Sequence, residues 1–353
     1  MLRKSLKFFA ALIIGLLAFI WAVKTVGWKT IPAAFSLFLS LKGLAILGIT
    51  FLASLSGFLR WKTILRKVSG RYSFPELFKI WLASFTVSYL LTPIAFLGGE
   101  PFRAYLSKKK YKLSWEKSAA AVIIDRLLEW TVFLIFTIAG VLFFIFLNTA
   151  NLNIYLILSS SVLVLSLFVL LVIFYAKSLK KESVLKWLLK VLKIKRENFE
   201  SSQNGKLVFK TEKEVVNFFF AAKRQFWQGI AFSFLKYFFC FFRVALLVVF
   251  LQKGVNFFQT AAIYGISNLA LFVPVPAALG SMEASGILGF SGLGFNIASG
   301  TIFAIVIRNA DIIMSLIGGV FLLKISLSLA GAKILEFLER NRFFFVEDDR
   351  FKE

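Results

Sequence analysis

The sequence predicts an all-α polytopic membrane protein, with about six transmembrane helices and two re-entrant helical hairpins arranged as an inverted repeat. Three observations predict this class. Of the 353 residues, 59% are hydrophobic and 44 are phenylalanines. Several apolar runs exceed the roughly 18 residues that can cross a bilayer. Two stretches containing proline and glycine interrupt apolar runs, and their freed backbone groups would lack partners in lipid, so we expect them inside the protein or beside a wet cavity.

Six apolar runs are long enough to cross a bilayer, and basic residues mark the loops between them. The runs lie at about 6–26, 42–59, 118–147, 154–175, 226–251 and 297–323. The net charge is +24, and a dense basic loop is expected to begin at Arg60. Because short cytoplasmic loops retain lysine and arginine, we place both termini and the basic segment 177–225 in the cytoplasm and the turn 148–153 outside. The sequence therefore predicts one integral-membrane domain, 1–330, in the cell membrane, and a cytoplasmic tail, 331–353.

Two stretches break the apolar pattern in the same way. In each, a proline is followed seven positions later by a glutamate, with glycine between them. A full crossing before the first stretch would place the lysine-rich segment 108–117 outside, against the charge rule. A hairpin that enters halfway and returns to the same side avoids this conflict. The predicted hairpin breaks are Pro93, Gly98 and Gly99 in the first stretch, and Pro276 and Gly280 in the second.

A second correspondence follows each break. The segments Arg126–Glu129 and Arg308–Asp311 both begin with an arginine and end three positions later with an acid, inside an apolar run. Residues at i and i+3 share a helix face, so we expect each arginine beside its acid. We interpret the chain as two halves, about 42–176 and 226–330, in an inverted repeat. That arrangement is associated with access from alternate sides of the membrane.

Eight charged residues near the two breaks form the candidate site. A charge at bilayer depth is costly unless it is paired or hydrated, and the N-terminus of a half-helix has unpaired N–H groups that favour anions. We expect the arginines and half-helix ends to hold a lipid phosphate and the acids to meet a cationic or hydroxylated head group. The predicted head-group-binding residues are Glu100, Arg103, Asp125, Arg126, Glu129, Glu283, Arg308 and Asp311.

Other roles for these residues stay open from the sequence. The arginine–acid pairs would also serve as structural salt bridges or as a proton or ion pathway. Glu100 and Glu283 would also cap their half-helices, and Arg103 would also reach the interface by snorkelling. We interpret Lys236 and Arg243, which lie in a phenylalanine-rich run, as snorkelling or packing residues.

The composition excludes several kinds of site. The chain has no histidine, and Cys240 is its only cysteine. Disulfide frameworks, His/Cys metal sites and histidine-based catalysis are therefore excluded, and we expect no metal, no cofactor and no catalytic residue. We expect the basic excess to meet anionic lipid rather than nucleic acid. Within the basic segment 177–225, residues 184–194 alternate leucine and lysine at helical spacing, which predicts an amphipathic surface helix.

The motif Gly98-Gly99-Glu100-Pro101-x-Arg103-Ala104-Tyr105-Leu106, followed by Asp125-Arg126, resembles the lysylphosphatidylglycerol synthase transmembrane-region family, also called the flippase-like domain family. The stretch Pro274–Glu283 and the later Arg308 resemble its second signature, except that Ala277-Ala278 stand where the family often has Gly-Gly. The resemblance implies a polytopic domain proposed to translocate lipids such as aminoacylated phosphatidylglycerol. Some members carry a fused aminoacyl-transferase or glycosyltransferase domain, which we do not expect in this chain.

The expected function is to translocate or present a polar phospholipid between membrane leaflets. Two alternatives compete with it. In the first, the protein is a membrane partner or scaffold of a separately encoded lipid-modifying transferase, which docks on the segment 177–224. In the second, the protein itself transfers a lipid head group. Arginines and acids support general acid catalysis, but the sequence has no nucleophile elbow, metal cluster or nucleotide loop. We therefore expect a lipid transporter rather than an enzyme, with membrane phospholipids as its partners.

Overall fold

The computed structural model describes residues 40–70, 72–91, 98–147, 154–192, 199, 202–251, 254–273 and 276–347. The predicted span 6–26, Pro93 and the predicted external turn 148–153 lie outside these ranges. Across the described residues the chain is helical and no strand is present. The helices are α1 (Leu41–Ser69), α2 (Phe74–Thr86), α3 (Gly99–Tyr111), α4 (Trp115–Leu147), α5 (Ile154–Leu179), α6 (Val184–Val191), α7 (Gln203–Ala221), α8 (Lys223–Leu251), α9 (Phe257–Leu269), α10 (Ser281–Gly292) and α11 (Ile297–Glu347).

Four of these helices are long and apolar enough to cross a bilayer. They are α1, α4, α8 and α11, whose candidate spans are Leu41–Val68, Trp115–Leu147, Lys223–Leu251 and Ile297–Ala330. The predicted runs 42–59, 118–147, 226–251 and 297–323 each lie inside one of them. The predicted class, an all-α polytopic membrane protein, is thereby confirmed. The number of spans stays a prediction.

Four shorter helices flank the two predicted breaks. α2 and α3 precede and follow the first break, and α9 and α10 precede and follow the second. Each has 12 or 13 residues, which at ~1.5 Å per residue is about 18–20 Å. A bilayer core is ~30 Å thick, so these helices have the length that re-entrant hairpins require. That they enter a bilayer in this way stays a prediction.

The helices of the two halves pack against one another reciprocally. α1 packs along α8, α4 packs on α9, and α11 packs on α2. The α1–α8 pair is antiparallel, because Thr50 lies beside Arg243 whereas Arg60, further along α1, lies beside Ser233, which comes earlier in α8. The order of elements therefore matches α1 to α8, α2 to α9, α3 to α10 and α4 to α11, with the matched helices α1 and α8 running in opposite directions.

Close backbone contact holds α4 against α9. A Cβ atom added to Gly140 would overlap the carbonyl oxygen of Ala261 and the backbone of Gly265, and one added to Gly265 would overlap Gly140. Without a hydrophobic driving force between helices in lipid, small residues allow the close packing that stabilises such pairs. The two glycines therefore fix how near the second predicted hairpin lies to the first half.

Two apolar clusters enclose a polar layer. One cluster includes Ile46, Val248 and Phe303, and the other includes Ile64 and Leu128. Along α1 the buried polar side chains Thr50 and Ser54 lie between Ile46 of the first cluster and Phe58 of the second, and the buried Ser56 and Arg60 lie among residues of the second cluster. Buried charges are stable only when they are paired or hydrogen-bonded, so this layer determines where charge can be held inside the bundle.

The helices α6 and α7 carry several lysines, and α7 packs on α4. Glu212 of α7 caps α6: its carboxylate accepts a hydrogen bond of 2.6 Å from the Ser183 hydroxyl and one of 2.9 Å from the Leu185 backbone N–H. Leu189 of α6 is buried, whereas Leu188 and other apolar residues are exposed. α6 therefore carries a free apolar face beside lysines, as the predicted amphipathic surface helix requires over the described part of 184–194.

Candidate functional site

The first half of the polar layer is built on α4. Asp125 and Glu129 lie one helical turn apart and are almost completely buried. Arg60 of α1 joins them: its Nε lies 2.7 Å from Asp125 Oδ1, and its Nη2 lies 2.9 Å from Glu129 Oε2. Its Nη1 donates to Ser233 Oγ of α8 at 3.2 Å. A single buried arginine thus joins three helices.

Glu129 is the most heavily bonded carboxylate of the layer. Besides Arg60, it accepts from Arg126 Nη1 at 2.5 Å, from Lys236 Nζ and, at 3.4 Å, from Tyr237 OH. The predicted Arg126–Glu129 pair is present, but it is one of several contacts. Because Glu129 has four donors, loss of a single donor would leave it paired.

Arg103 of α3 is buried rather than extended to the interface. Its Nη2 lies 2.8 Å from Asp125 Oδ2, and its guanidinium lies over the Trp61 ring at 5.0 Å. The side chain is 3% exposed, and its Nε–H has no hydrogen-bond partner among the described residues. The snorkelling role considered for Arg103 is therefore wrong, and one of its donors remains available.

Glu100 closes the N-terminus of the half-helix α3. Its Oε2 accepts a hydrogen bond of 2.5 Å from the Gly98 backbone N–H, and its Oε1 pairs with Arg126. The next backbone N–H, of Gly99, donates to Ser88 Oγ at 3.0 Å. Gly98 has φ 144°, a left-handed value that favours glycine. The N–H groups of Gly98 and Gly99 are therefore occupied by side chains of the protein, and Glu100 acts as a cap.

The second half repeats this arrangement on α10 and α11. Glu283 accepts from the Gly280 backbone N–H at 2.9 Å and pairs with Arg308. Asp311 pairs with Arg243 of α8, Oδ1 to Nη1, at 2.7 Å. The expectation that Arg308 lies paired with Asp311 is wrong: each binds a residue of another helix, because helix spacing fixes the face but not the partner.

The correspondence between the halves extends to single hydrogen bonds. Arg60 donates to Ser233 at 3.2 Å, and Arg243 donates to Thr50 at 3.1 Å. Both pairs of equivalent residues are separated by 183 positions along the chain, as are Glu100 and Glu283. The other equivalent pairs, Arg126 with Arg308 and Glu129 with Asp311, are separated by 182. The two halves therefore interlock through the same contacts, made in both directions.

A cavity of about 150 Å³ lies between two networks of ion pairs, the first around Asp125 and Glu129 and the second around Asp311. From the first network, the charged residues that line the cavity are Arg60, Arg103, Asp125, Arg126, Glu129 and Lys236. From the second network they are Arg243 and Asp311. A water needs roughly 10–15 Å³ measured in this way, so the cavity admits several waters or a small polar group. The Nε–H groups of Arg126, Arg243 and Arg308 resemble that of Arg103 in having no hydrogen-bond partner among the described residues.

Sequence reasoning missed three residues of the site. The sequence predicts Arg60 at the start of a basic loop, but Arg60 lies within α1 and is 1% exposed. The sequence favours snorkelling or packing for Lys236 and Arg243, yet each pairs with a carboxylate of a different helix. A signal was available for two of them, because Arg60 and Arg243 have the same spacing of 183 positions as the two glutamates.

The described residues contain no group of three or more His, Cys, Asp or Glu side chains that could hold a metal ion. The acids of the polar layer are instead matched by arginines and a lysine. The arrangement can therefore compensate a polar or anionic group inside an apolar bundle.

Long apolar helices around a charged interior define a multi-pass membrane protein. A family model described as the lysylphosphatidylglycerol synthase TM region matches residues 8–319, and the chain belongs to this family. It is also similar to a UPF0104 membrane protein of Methanocaldococcus jannaschii, with 27% identity over 67% of this chain and 70% of the relative. A UPF0104 membrane protein of Methanothermobacter thermautotrophicus is 28% identical over 67% of this chain and 71% of the relative. No solved structure matches the chain.

Proposed function

We propose that this protein translocates a polar phospholipid between membrane leaflets, with the lipid phosphate held in the cavity between the two networks. The observation that carries the proposal is the polar layer itself: a cavity with charged walls inside a bundle of apolar helices. Ionisable residues within apolar spans are costly and commonly mark a substrate or ion pathway. Membership of a family named for lipid synthesis favours a lipid among the possible substrates.

The depth of the arginines supports a site at mid-membrane. Arg60, Arg126, Arg243 and Arg308 lie 8 to 11 residues from the nearer end of their long helices, which is about 12–17 Å at ~1.5 Å per residue. Half of a bilayer core is ~15 Å. Transporters built from inverted repeats commonly hold their substrates at this depth.

The free donors of the layer support a phosphate as the group that is held. Four arginines each keep an Nε–H without a hydrogen-bond partner among the described residues, although each pairs with a carboxylate through at least one Nη atom. A guanidinium binds phosphate through its fork of donors. We infer that Arg126, which lines the cavity, and its equivalent Arg308, which follows the lining residue Ile307, exchange their partners Glu100 and Glu283 for the phosphate in turn.

The test is lipid transfer in liposomes, measured for Arg126→Ala and Arg308→Ala. Each change is expected to abolish transfer while the protein still folds and inserts, and Arg→Lys is expected to rescue only partly, because lysine keeps the charge but loses the fork. Lys62→Ala is the matched control, since Lys62 lies over the Phe74 ring and not in the cavity.

A purely structural role for Arg126 makes a different prediction. Its removal would then act only by freeing the carboxylate of Glu100, and the double change Arg126→Ala with Glu100→Ala would recover both thermal stability and transfer. Recovery of both would contradict the phosphate site. Intact stability with transfer still lost in the double variant supports it.

We also propose that the protein lies in the cell membrane with both termini in the cytoplasm, as the basic loops indicate.

The alternative role, a scaffold for a separately encoded lipid-modifying transferase, rests on α6 and α7, where an apolar face stays exposed beside lysines. Pull-down with a transferase that depends on α6, together with no transfer by the purified protein, would favour the scaffold.

A further inference from the structure

The two halves of the polar layer balance in charge except at three positions. In the described residues the layer contains six cations and five carboxylates. Eight of these eleven side chains are the equivalent pairs described above, and their formal charges sum to zero. The remaining three are Arg103, Asp125 and Lys236, which together carry a charge of +1.

At the matching position in the other half, each of these three residues has a neutral counterpart. At the same separation along the chain, Arg103 corresponds to Gly286 and Asp125 to Ile307. Lys236 corresponds to Ala53. Arg103 and Asp125 pair with each other, and Lys236 pairs with Glu129, so the surplus charge lies beside the acids of α4 and is not needed to build the repeated contacts. Because the acid Asp311 of α11 has no such surplus beside it, we look for a role specific to the site around Asp125 and Glu129.

All three unmatched residues line the cavity. Arg103 and Asp125 are bonded to each other and are 3% and 1% exposed in their side chains. The guanidinium of Arg103 that pairs with Asp125 also has an Nε–H without a hydrogen-bond partner among the described residues. Lys236 reaches Glu129 from α8 and keeps 20% of its side chain exposed. A net positive charge at this depth is unfavourable until an anion compensates it, because the surrounding apolar bundle screens charge poorly.

Building on the function proposed above, we propose that Arg103, Asp125 and Lys236 make the cavity selective for a head group of net charge −1. Such a head group is a phosphodiester joined to an uncharged alcohol. It brings the layer to neutrality, whereas a zwitterionic head group leaves the surplus in place and a cationic one increases it. The three residues act by charge, and the repeated arginines hold the phosphate whichever lipid is bound.

Lys236 is the residue through which this selectivity can be tested. Glu129 keeps Arg60, Arg126 and Tyr237 as partners when Lys236 is changed, so Lys236→Gln removes the surplus charge without leaving an unpaired carboxylate. Ala53→Asp is a second route to neutrality, since Ala53 lines the same cavity and the change removes no ion pair. Lys236→Arg keeps the charge.

The experiment measures binding of three lipids to the purified full chain in detergent by lipid-dependent thermal shift. The lipids are phosphatidylglycerol, phosphatidylethanolamine and lysylphosphatidylglycerol, with net charges of −1, 0 and +1. We expect the native protein to bind phosphatidylglycerol about tenfold more tightly than the others, which is about 1.4 kcal/mol. Lys236→Gln and Ala53→Asp are expected to lose this preference, and Lys236→Arg and the control Lys62→Gln to retain it.

The possible results separate the two proposals. Equal binding of all three lipids by the native protein, or an unchanged preference in both Lys236→Gln and Ala53→Asp, would overturn the charge selectivity and leave lipid translocation standing. Binding of none of the lipids would overturn both. Loss of the preference in either neutralising variant, with retention in Lys236→Arg, supports the assignment.

Discussion

Arg60 and Arg126 bind the same carboxylate, Glu129, but we expect their removal to have different effects. Replacing Arg60 by methionine should strongly lower the free energy of unfolding. Replacing Arg126 by methionine should leave the protein folded and stop lipid transfer. The two changes are matched in chemistry and act on one network. They therefore separate the residue that holds the helices together from the residue that meets the substrate.

The magnitudes follow from what each arginine contacts. Arg60 is 1% exposed and bonds Asp125, Glu129 and Ser233 at 2.7, 2.9 and 3.2 Å. Breaking such a buried pair costs about 3–5 kcal/mol, because the remaining charges stay buried. The side chain of Arg126 is 22% exposed. Its loss leaves Glu129 with three donors and Glu100 with the Gly98 N–H, so we expect a cost of about 1–2 kcal/mol.

The assay combines two measurements on the same protein preparations. The free energy of unfolding is taken from SDS titration in mixed micelles, and lipid transfer is taken from proteoliposomes made with variants that remain folded. Lys62→Met is the control on α1, since it removes a basic residue two positions from Arg60 without removing an ion pair of the described residues. It should change neither quantity.

Two results would refute this reasoning. If Arg126→Met destabilised the protein as much as Arg60→Met, the two arginines would be equivalent structural members of one salt-bridge network. If Arg126→Met were stable and transferred lipid at the native rate, the cavity would not use Arg126 to hold phosphate. Either result would remove the distinction between the two roles.

Three further predictions concern other parts of the chain. Ala277 and Ala278 have φ values of 53° and 49°, a left-handed region that costs non-glycine residues about 1–2 kcal/mol. Changing both residues to glycine should therefore raise the melting temperature, and a lower melting temperature would contradict this backbone geometry. Cysteine placed at Lys110, with Cys240→Ser, should react only with reagents that reach the cytoplasmic side, because short basic loops stay inside; labelling from outside would exclude the first re-entrant hairpin. A peptide spanning Ser178–Arg196 should bind anionic vesicles and dissociate at high salt, with each basic residue contributing about 1 kcal/mol at the surface; equal binding to neutral vesicles would show that apolar contact dominates.

The sequence by itself determined the class of the protein and the family. Long apolar runs allow few alternatives to membrane-spanning helices, since backbone groups in lipid must be satisfied within the segment. The part of the chain that the structure describes contains four helices long and apolar enough to span a membrane. The motif around Glu100 identified the family to which the chain belongs. Spacing also predicts the repeat, because the equivalent glutamates and arginines stand 182 or 183 positions apart.

The partners of the charged residues were decided only by the tertiary structure. Helical spacing placed Arg308 and Asp311 on one face but could not show that Glu283 and Arg243 approach from other helices. Helical spacing also could not show that Arg60 lies inside the bundle. A basic residue at the end of an apolar run gives the same sequence pattern whether the helix ends there or continues. Pairing across helices depends on how they pack, and that is set by contacts between residues far apart in the chain, such as Gly140 with Gly265.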